Sequence, residues 1–555
     1  MNLNKLLVIP FLLSIFVIAG CEVDELGVDE PGVGGLGGGG LGNYTLRVVS
    51  TLPADGAANV SLDSNIQATL DSSIDPALLS NFSVSFTDGI NNVTGVLTVN
   101  GDVFTFDPDS ELEYSTTYNL VISDSAGNTL DTPYPWSFTT KPEFICADHY
   151  QQSFTLISGQ DEQDPSALSK PDKGVPYTDP AYGTCVVRAT NHNQEGPRPD
   201  TGNFSNLMRN DYSRRNPFNA NNSMYFVYAR GGVWHLYDAN TLDYIRVIPG
   251  VGGDAEPVWH PTDPDVLYYL PTNGGTKVFA YDYSTNSSTT AADFTNRLPW
   301  GNDIHAWTKS EGAPSADGRY WAFMVDSSSF QGLGMFTYDM QTDTIIATYD
   351  FASNSRPRPD HLTMSPTGDY VVVSWADGTY MLNRNLTTSS LIFGSGQHSD
   401  LALNSEGEDV FVWSHYSNDF PSEHSGWVVA YNLHTGEYFR LWLIYDAGSS
   451  TSMHISGRAF NRPGWVLVST YNPYAGNDRW YNNKLMAVEL KPNPTILNIA
   501  HTYNDQDDYW SESQAAVNND FTRILFNTNW QNPGNEDVDA YMVVLPSNVI
   551  IPDAP

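Results

Sequence analysis

PDHLTMSPTGDYVVVS, residues 359–374, holds a polar turn, Ser365-Pro366-Thr367-Gly368, directly ahead of an apolar run from Tyr370 to Val373. His361 stands four residues before the serine. If the stretch is unique, the histidine invites a catalytic reading. If it recurs, the turn and strand belong to the fold. It recurs, as RNPFNANNSMYFVYA (215–229), EPVWHPTDPDVLYYL (256–270), EGAPSADGRYWAFMV (311–325), HLTMSPTGDYVVVSW (361–375), DLALNSEGEDVFVW (400–413), SGRAFNRPGWVLVST (456–470) and QAAVNNDFTRILFN (514–527). Each copy has an apolar residue, a polar turn and a run of strand formers. Several continue into a second strand that ends in LYDANT, AYDYSTN, TYDMQTD or AYNLHTG, where an outer hairpin should lie.

Short strands and repeated turns at a period of about 40–55 residues predict a β-propeller over residues 145–555, because no single copy can bury both faces of its sheet. The copies number seven. Eight blades stay open, because residues 145–205 are long enough to hold another. The strand YMVVLP (541–546) is placed to close the ring on an early strand such as CVVRAT (185–190). The turns resemble those of TolB-like and WD-repeat-like propellers, a resemblance of architecture that implies no activity.

The rest of the chain reads as a different kind of unit. Residues 44–141 carry short alternating strands spaced by Pro, Asp, Gly and Asn turns, the pattern of a β-sandwich. PADGAANVSLDSNIQATLDSSID and TFDPDSELEYSTTYNLVIS resemble the bacterial Ig-like domain of the S-layer-protein (SbsA) type. That resemblance implies a spacer or adhesive module without catalysis. The fold class expected is therefore all-β: an Ig-like sandwich followed by a seven-bladed propeller. Residues 1–20 read as a signal peptide, and Ile18-Ala19-Gly20-Cys21 resembles a bacterial lipobox, which implies lipidation of Cys21. Residues 21–43, acidic and then glycine-rich, read as a flexible tether. The expected address is the outer membrane or cell surface of a Gram-negative bacterium, with a lipid anchor rather than a spanning helix. Cys146 and Cys185 are the two cysteines left, and in an exported protein they predict a disulfide.

Composition limits the partners. The formal net charge is -38, so a nucleic-acid backbone is repelled, and an acidic substrate needs a local basic pocket. An extracellular polysaccharide or a surface protein fits better. At 13% aromatic residues the chain has rings both for cores and for sugar contacts, with Trp307 and Trp510 as candidate platforms.

The candidate site comes from the position four before each turn: Arg215, Glu256, Glu311, His361, Asp400, Ser456 and Gln514. A slip of one or two residues in the last copies brings in His454 or Glu512. All are polar, and in a propeller they are expected near one mouth of the central channel. Solvation of that channel explains such a ring as readily as function does. Its ionisable neighbours add chemistry: Arg356, Arg358 and Asp360 beside His361; Gln397 and His398 beside Asp400; Arg458 beside Ser456. The polar loop 191–216 adds His192, Arg198, Arg209, Arg214 and Arg215. Histidines and carboxylates on successive blades can bind a metal or move protons, and His361, His398, Asp400 and His454 form the metal set to test, with calcium or zinc as the cofactor class. Asp505, Asp507 and Asp508 are a weaker calcium set, lacking the glycine and closing glutamate of an EF-hand loop. No HExxH, CxxC or GxSxG is present, which disfavours the zinc-protease and serine-hydrolase classes.

The overall plan is similar to propeller lyases of acidic sugars, a resemblance that carries no residue across. If the propeller is a lyase, an arginine, Arg215 or Arg358, would neutralise the uronate and a histidine, His361, His398 or His454, would be the base. Glu256, Glu311, Asp400, Arg458, Gln514, Trp307 and Trp510 would bind substrate. The residues leave open whether the propeller cleaves, binds as a scaffold, or works with a metal.

Overall fold

The computed structural model describes residues 46–551, apart from 61, 63, 115, 125–129, 131–132, 141–144, 148, 151–152, 395–397, 475–478, 505–508 and 533–536. The lipobox-like stretch, Cys21 and the expected tether lie outside the described residues, as do Gln397 and Asp505, Asp507 and Asp508. No helix of the described residues is long and apolar enough to cross a membrane.

The N-terminal unit is a sandwich of two four-stranded sheets. One runs Val48–Leu52, Ile66–Leu70, Val103–Pro108, Gly95–Asn100, and the other Ala57–Val60, Tyr134–Thr140, Thr117–Asp124, Phe82–Thr87. Period-2 alternation puts Phe86, Phe104, Leu120, Ile122 and Phe138 between the sheets, each at most 2% exposed.

The propeller has seven blades. Blade 1 is Leu207–Arg209, Met224–Ala229, Val233–Asp238 and Tyr244–Gly252. Blade 2 starts at Val258–Trp259, blade 3 at Ile304–Trp307, blade 4 at His361–Met364, blade 5 at Ser399–Leu403 and blade 6 at Ser450–Ser456. Blade 7 is made of Ala516–Val517, Arg523–Thr528, Val538–Val544 and, from the other end of the domain, Cys185–Arg188. Cys185 pairs with Val544 and Arg188 with Tyr541, so the ring closes as the repeat pattern predicts. Among the described residues, 145–205 do not build an eighth blade. They add Ile157–Ser158 to blade 6 and Tyr177–Thr178 to blade 7. The Cys146–Cys185 disulfide fastens this segment to the closing strand.

The repeated turn has one physical cause. The Ser365 hydroxyl accepts from the Tyr370 amide at 3.1 Å, and Gly368 takes φ +79°. Ser315 does the same for Tyr320 at 2.9 Å, Asn219 for Met224 and Asn518 for Arg523, both at 3.0 Å. A short polar side chain therefore caps the start of the second strand in each of these blades. At Gly368 a Cβ would lie 2.4 Å from the Tyr320 ring of the neighbouring blade, so glycine is needed for space as well as for φ. The Asp of the outer turns caps in turn: Asp238 accepts from the amides of Asn240 and Thr241 at 2.7 and 2.8 Å.

Candidate functional site

The innermost strands do not keep one register, and this decides which ring residues meet. His361 and Asp400 open their strands, while Arg215 and Glu311 fall after theirs, in stretches where the inner strand has broken off. Lys309 and Ser310 have positive φ at the break in blade 3. The polar runs 210–216 and 308–312 lie outside the strands, so the seven aligned residues do not share one strand position.

A cavity of about 280 Å³ is lined by Tyr212, Arg214, Glu311, Asp360, His361, Ser374 and His398. Arg214 is its hub and is buried. Its Nη1 lies 2.8 Å from Glu311 Oε2 and donates to His361 Nε2 at 2.8 Å, while Nη2 donates to Ser399 Oγ at 3.1 Å. Its Nε–H is buried without a partner among the described residues. An arginine only donates, so His361 Nε2 is an acceptor and the imidazole proton sits on Nδ1. Nδ1 lies 3.5 Å from both Glu311 Oε2 and Asp360 Oδ2. Asp360 also pairs with Lys309. The His361 hydrogen bond, helped by Lys309, holds the Asp360 carboxyl below its ordinary value against the effect of burial. Burial pushes the Glu311 carboxyl up; the charge of Arg214, with Lys309 as a lesser cation, brings it below its ordinary value. Both acids are therefore ionised behind the imidazole.

A second layer of rings lies behind the cavity. His398 meets His454 edge-on at 4.7 Å, His454 stacks on Tyr471 at 5.0 Å, and Tyr212 meets His454 at 5.4 Å. Burial, and then the neighbouring His454, pushes His398 down to about 3. Burial, and then Arg214, does the same to His454. His454 Nε2 lies 2.8 Å from Glu512 Oε2, and burial raises that carboxyl. Both imidazoles are neutral at physiological pH.

The other candidates are placed elsewhere. Arg215 is spent on Asp211 Oδ2 at 3.0 Å and on the carbonyls of Pro257 and Ser310 at 3.1 and 2.9 Å. Arg358 grips both oxygens of Asp326, at 2.9 and 2.8 Å, and Asp326 also accepts from Trp307 Nε1. Neither arginine lines this cavity; the arginine that does is Arg214. The Arg214-Arg215 doublet pointed to the place, and only the path of the loop decides which member turns inward. Asp400 is a buried partner of Arg458 and accepts from the Gly457 amide at 2.8 Å. It is thus withdrawn from the four-residue metal set, which does not converge. Glu256 accepts from the amides of Thr308 and Ser310, and Gln514 from Arg209. Trp510 lies under the Arg209 guanidinium, 4.6 Å from its carbon. Tyr212 and Ser374 were not candidates in the sequence; they line the cavity without any motif to mark them.

At the cavity, Glu311, Asp360 and His361 have ligand atoms within 4.8 Å of one another. In number and type they suit a divalent cation. Arg214 and Lys309 already neutralise the two carboxylates, so a cation would have to displace them.

Residues 43–140 match the family model for the bacterial Ig-like domain. The comparison with curated proteins returns no match. Among solved structures the chain is similar to an oligogalacturonate lyase from Vibrio parahaemolyticus, at 10% identity and a TM-score of 0.47 over 68% of this chain and 99% of that one. It is also similar to the Swd1 β-propeller domain of Myceliophteria thermophila (13% identity, TM-score 0.38, 60% and 97% covered) and to a chain of a mitotic checkpoint complex (12%, 0.39, 70% and 98%). These likenesses are of architecture, and no residue role is taken from them.

Proposed function

We propose that the propeller binds an acidic extracellular polysaccharide at the Arg214–His361 cavity and cleaves it by β-elimination. One observation carries the reading: a neutral histidine, with Nε2 toward an arginine and Nδ1–H toward two ionised carboxylates, lines an accessible cavity. The carboxylates orient the imidazole and stabilise it once protonated. The sugar carboxylate would take the Arg214 hydrogens, starting with the unpartnered Nε–H, and draw Arg214 off His361 Nε2. Nε2 then accepts the C5 proton, the C4–C5 double bond forms, and the C4–O bond breaks. The Tyr212 hydroxyl, which burial keeps protonated and which lines the same cavity, would return a proton to the leaving oxygen. His398 closes the cavity wall as a neutral ring.

The test is absorbance of unsaturated uronate on a panel of acidic polysaccharides, with and without chelator. His361→Ala and Arg214→Lys are each expected to lower the rate about 100-fold or more. His398→Ala tests whether the second imidazole is needed. Loss of activity with chelator would bring the metal reading back. No product from any polysaccharide would contradict the lyase reading.

A second reading, a non-catalytic surface scaffold for protein or glycan, is favoured by the internal pairing of Arg215, Arg358, Asp400 and Arg458. The Ig-like unit would then be its spacer. In both readings we infer a lipid-anchored location from the lipobox-like stretch at 18–21.

A further inference from the structure

Beside the cavity, Tyr509–Ser511 makes one helical turn. Trp510 is parallel to Tyr228, with 6.5 Å between ring centroids and 4° between planes. The Arg209 guanidinium lies against both, 4.6 Å from Trp510 and 5.8 Å from Tyr228. Arg209 is itself pinned, because Nη1 donates to the carbonyls of Asn210 and Asp211, at 2.9 and 2.8 Å, and to Gln514. The guanidinium also lies 5.8 Å from the Tyr509 ring, so Arg209 is packed among all three aromatic side chains. Tyr509 stands edge-on to Trp510 at 5.5 Å and is 48% exposed, among the few large exposed aromatic side chains of the propeller.

Its position relative to the cavity follows from both sides of the turn. Asp211, held by Arg209, is followed directly by Tyr212 of the cavity wall. On the other side the Glu512 amide donates to the Tyr509 carbonyl at 3.3 Å, and the Glu512 carboxylate holds His454, which packs on Tyr212. The exposed ring is therefore about one layer of side chains from the cavity.

We infer that Tyr509, rather than Trp510, is an aromatic platform that stacks on a sugar ring next to the one in the cavity, so that the site recognises a chain of acidic sugars and not a single residue. The inference rests on the acidic-polysaccharide reading of the cavity. The hydrophobic C–H face of a pyranose suits an exposed ring held at a fixed angle. Trp510 is the less accessible ring: it is half-buried, and Arg209 lies closer to it, at 4.6 Å, than to Tyr509, at 5.8 Å.

The experiment is calorimetric titration of the protein with galacturonate, guluronate and mannuronate oligomers two and four residues long. Tyr509→Ala should weaken binding of the tetramer about fivefold to tenfold and leave the dimer within about twofold. Tyr509→Phe and Tyr509→Trp should keep tetramer affinity, which separates stacking from a hydroxyl contact. Unchanged melting of the variants would support an effect on binding alone. A parent that binds the tetramer while Tyr509→Ala binds it equally overturns the inference. A parent that binds no oligomer overturns the cavity reading on which it stands.

Discussion

Two places in the propeller gather one histidine and two acids into the same small volume. At the ring closure they are His192, Asp537 and Asp539; at the cavity they are His361, Glu311 and Asp360. Their chemistry is alike and their surroundings are not. Asp539 is fully buried and takes Arg188 through Nε at 3.0 Å and Nη2 at 2.6 Å, His192 Nδ1 at 3.2 Å and Lys170 at 3.3 Å. Those partners come from the segment that precedes blade 1, and Asp539 comes from the last strand. The cluster fastens the two ends of the chain. At the cavity the same kinds of group face open volume, and the hub arginine keeps an unpartnered N–H. The difference teaches that a His–acid cluster gains a functional reading from access and an unfilled donor, not from its composition.

The comparison is broken most strongly at the closure. Asp539→Ala leaves Arg188 buried without its carboxylate, at a cost of about 3–5 kcal/mol, whereas His361→Ala should change stability by about 1 kcal/mol or less. Urea unfolding of both variants measures this. Equal losses would erase the distinction. Replacing Cys146 and Cys185 with serine should cost about 2–4 kcal/mol, since the loop the disulfide closes spans a sequence separation of 39.

Acid separates the two places further. Burial pushes the Asp539 carboxyl up, but the His192 hydrogen bond and the charges of Arg188, His192 and Lys170 more than offset it, to about 2. Its contribution is present above the ordinary value of 3.8 and is lost as pH falls through about 2. His398 and His454 behave differently. Their folded values near 3 lie below the ordinary 6.5, so the unfolded chain binds more protons between those limits. Stability should therefore fall as pH drops from 6.5 toward 3. Denaturation midpoints between pH 4 and 7 should show this slope, and His454→Gln should flatten it while Asp539→Asn leaves it in place. The smallest effect is expected at Lys309, whose pair with Asp360 is largely exposed. Lys309→Met should change stability by less than about 1 kcal/mol and shift the acid limb of any activity upward.

Much of the fold was legible in the sequence because it rests on local chemistry. The Ser365 and Ser315 turns, the Asp238-type outer turns and the closing strand at 185–190 each follow from a side chain and its near neighbours. Blade number followed from counting copies. The site was legible only in part. His361 and Glu311 stand at the aligned ring position and line the cavity; Arg215, Glu256 and Asp400 stand there too and are paired away. Glu256 and Asp400 are withdrawn by buried partners, the Thr308 and Ser310 amides and Arg458; for Arg215 the reason is the break in the inner strand of blade 1 after Arg209. Periodicity cannot register such a break. Tyr212 and Ser374 reach the cavity by tertiary placement alone, and Arg214 differs from Arg215 only in the direction a loop sends it.

The central claim, that the cavity around His361 performs elimination on an acidic sugar chain, is tested most directly by following unsaturated-uronate absorbance with the parent protein and His361→Ala side by side, their melting curves recorded together. The account predicts product from the parent on at least one polyuronate, and its loss in the variant at an unchanged melting temperature. Product formed equally by both proteins, or by neither on any polyuronate, would contradict it.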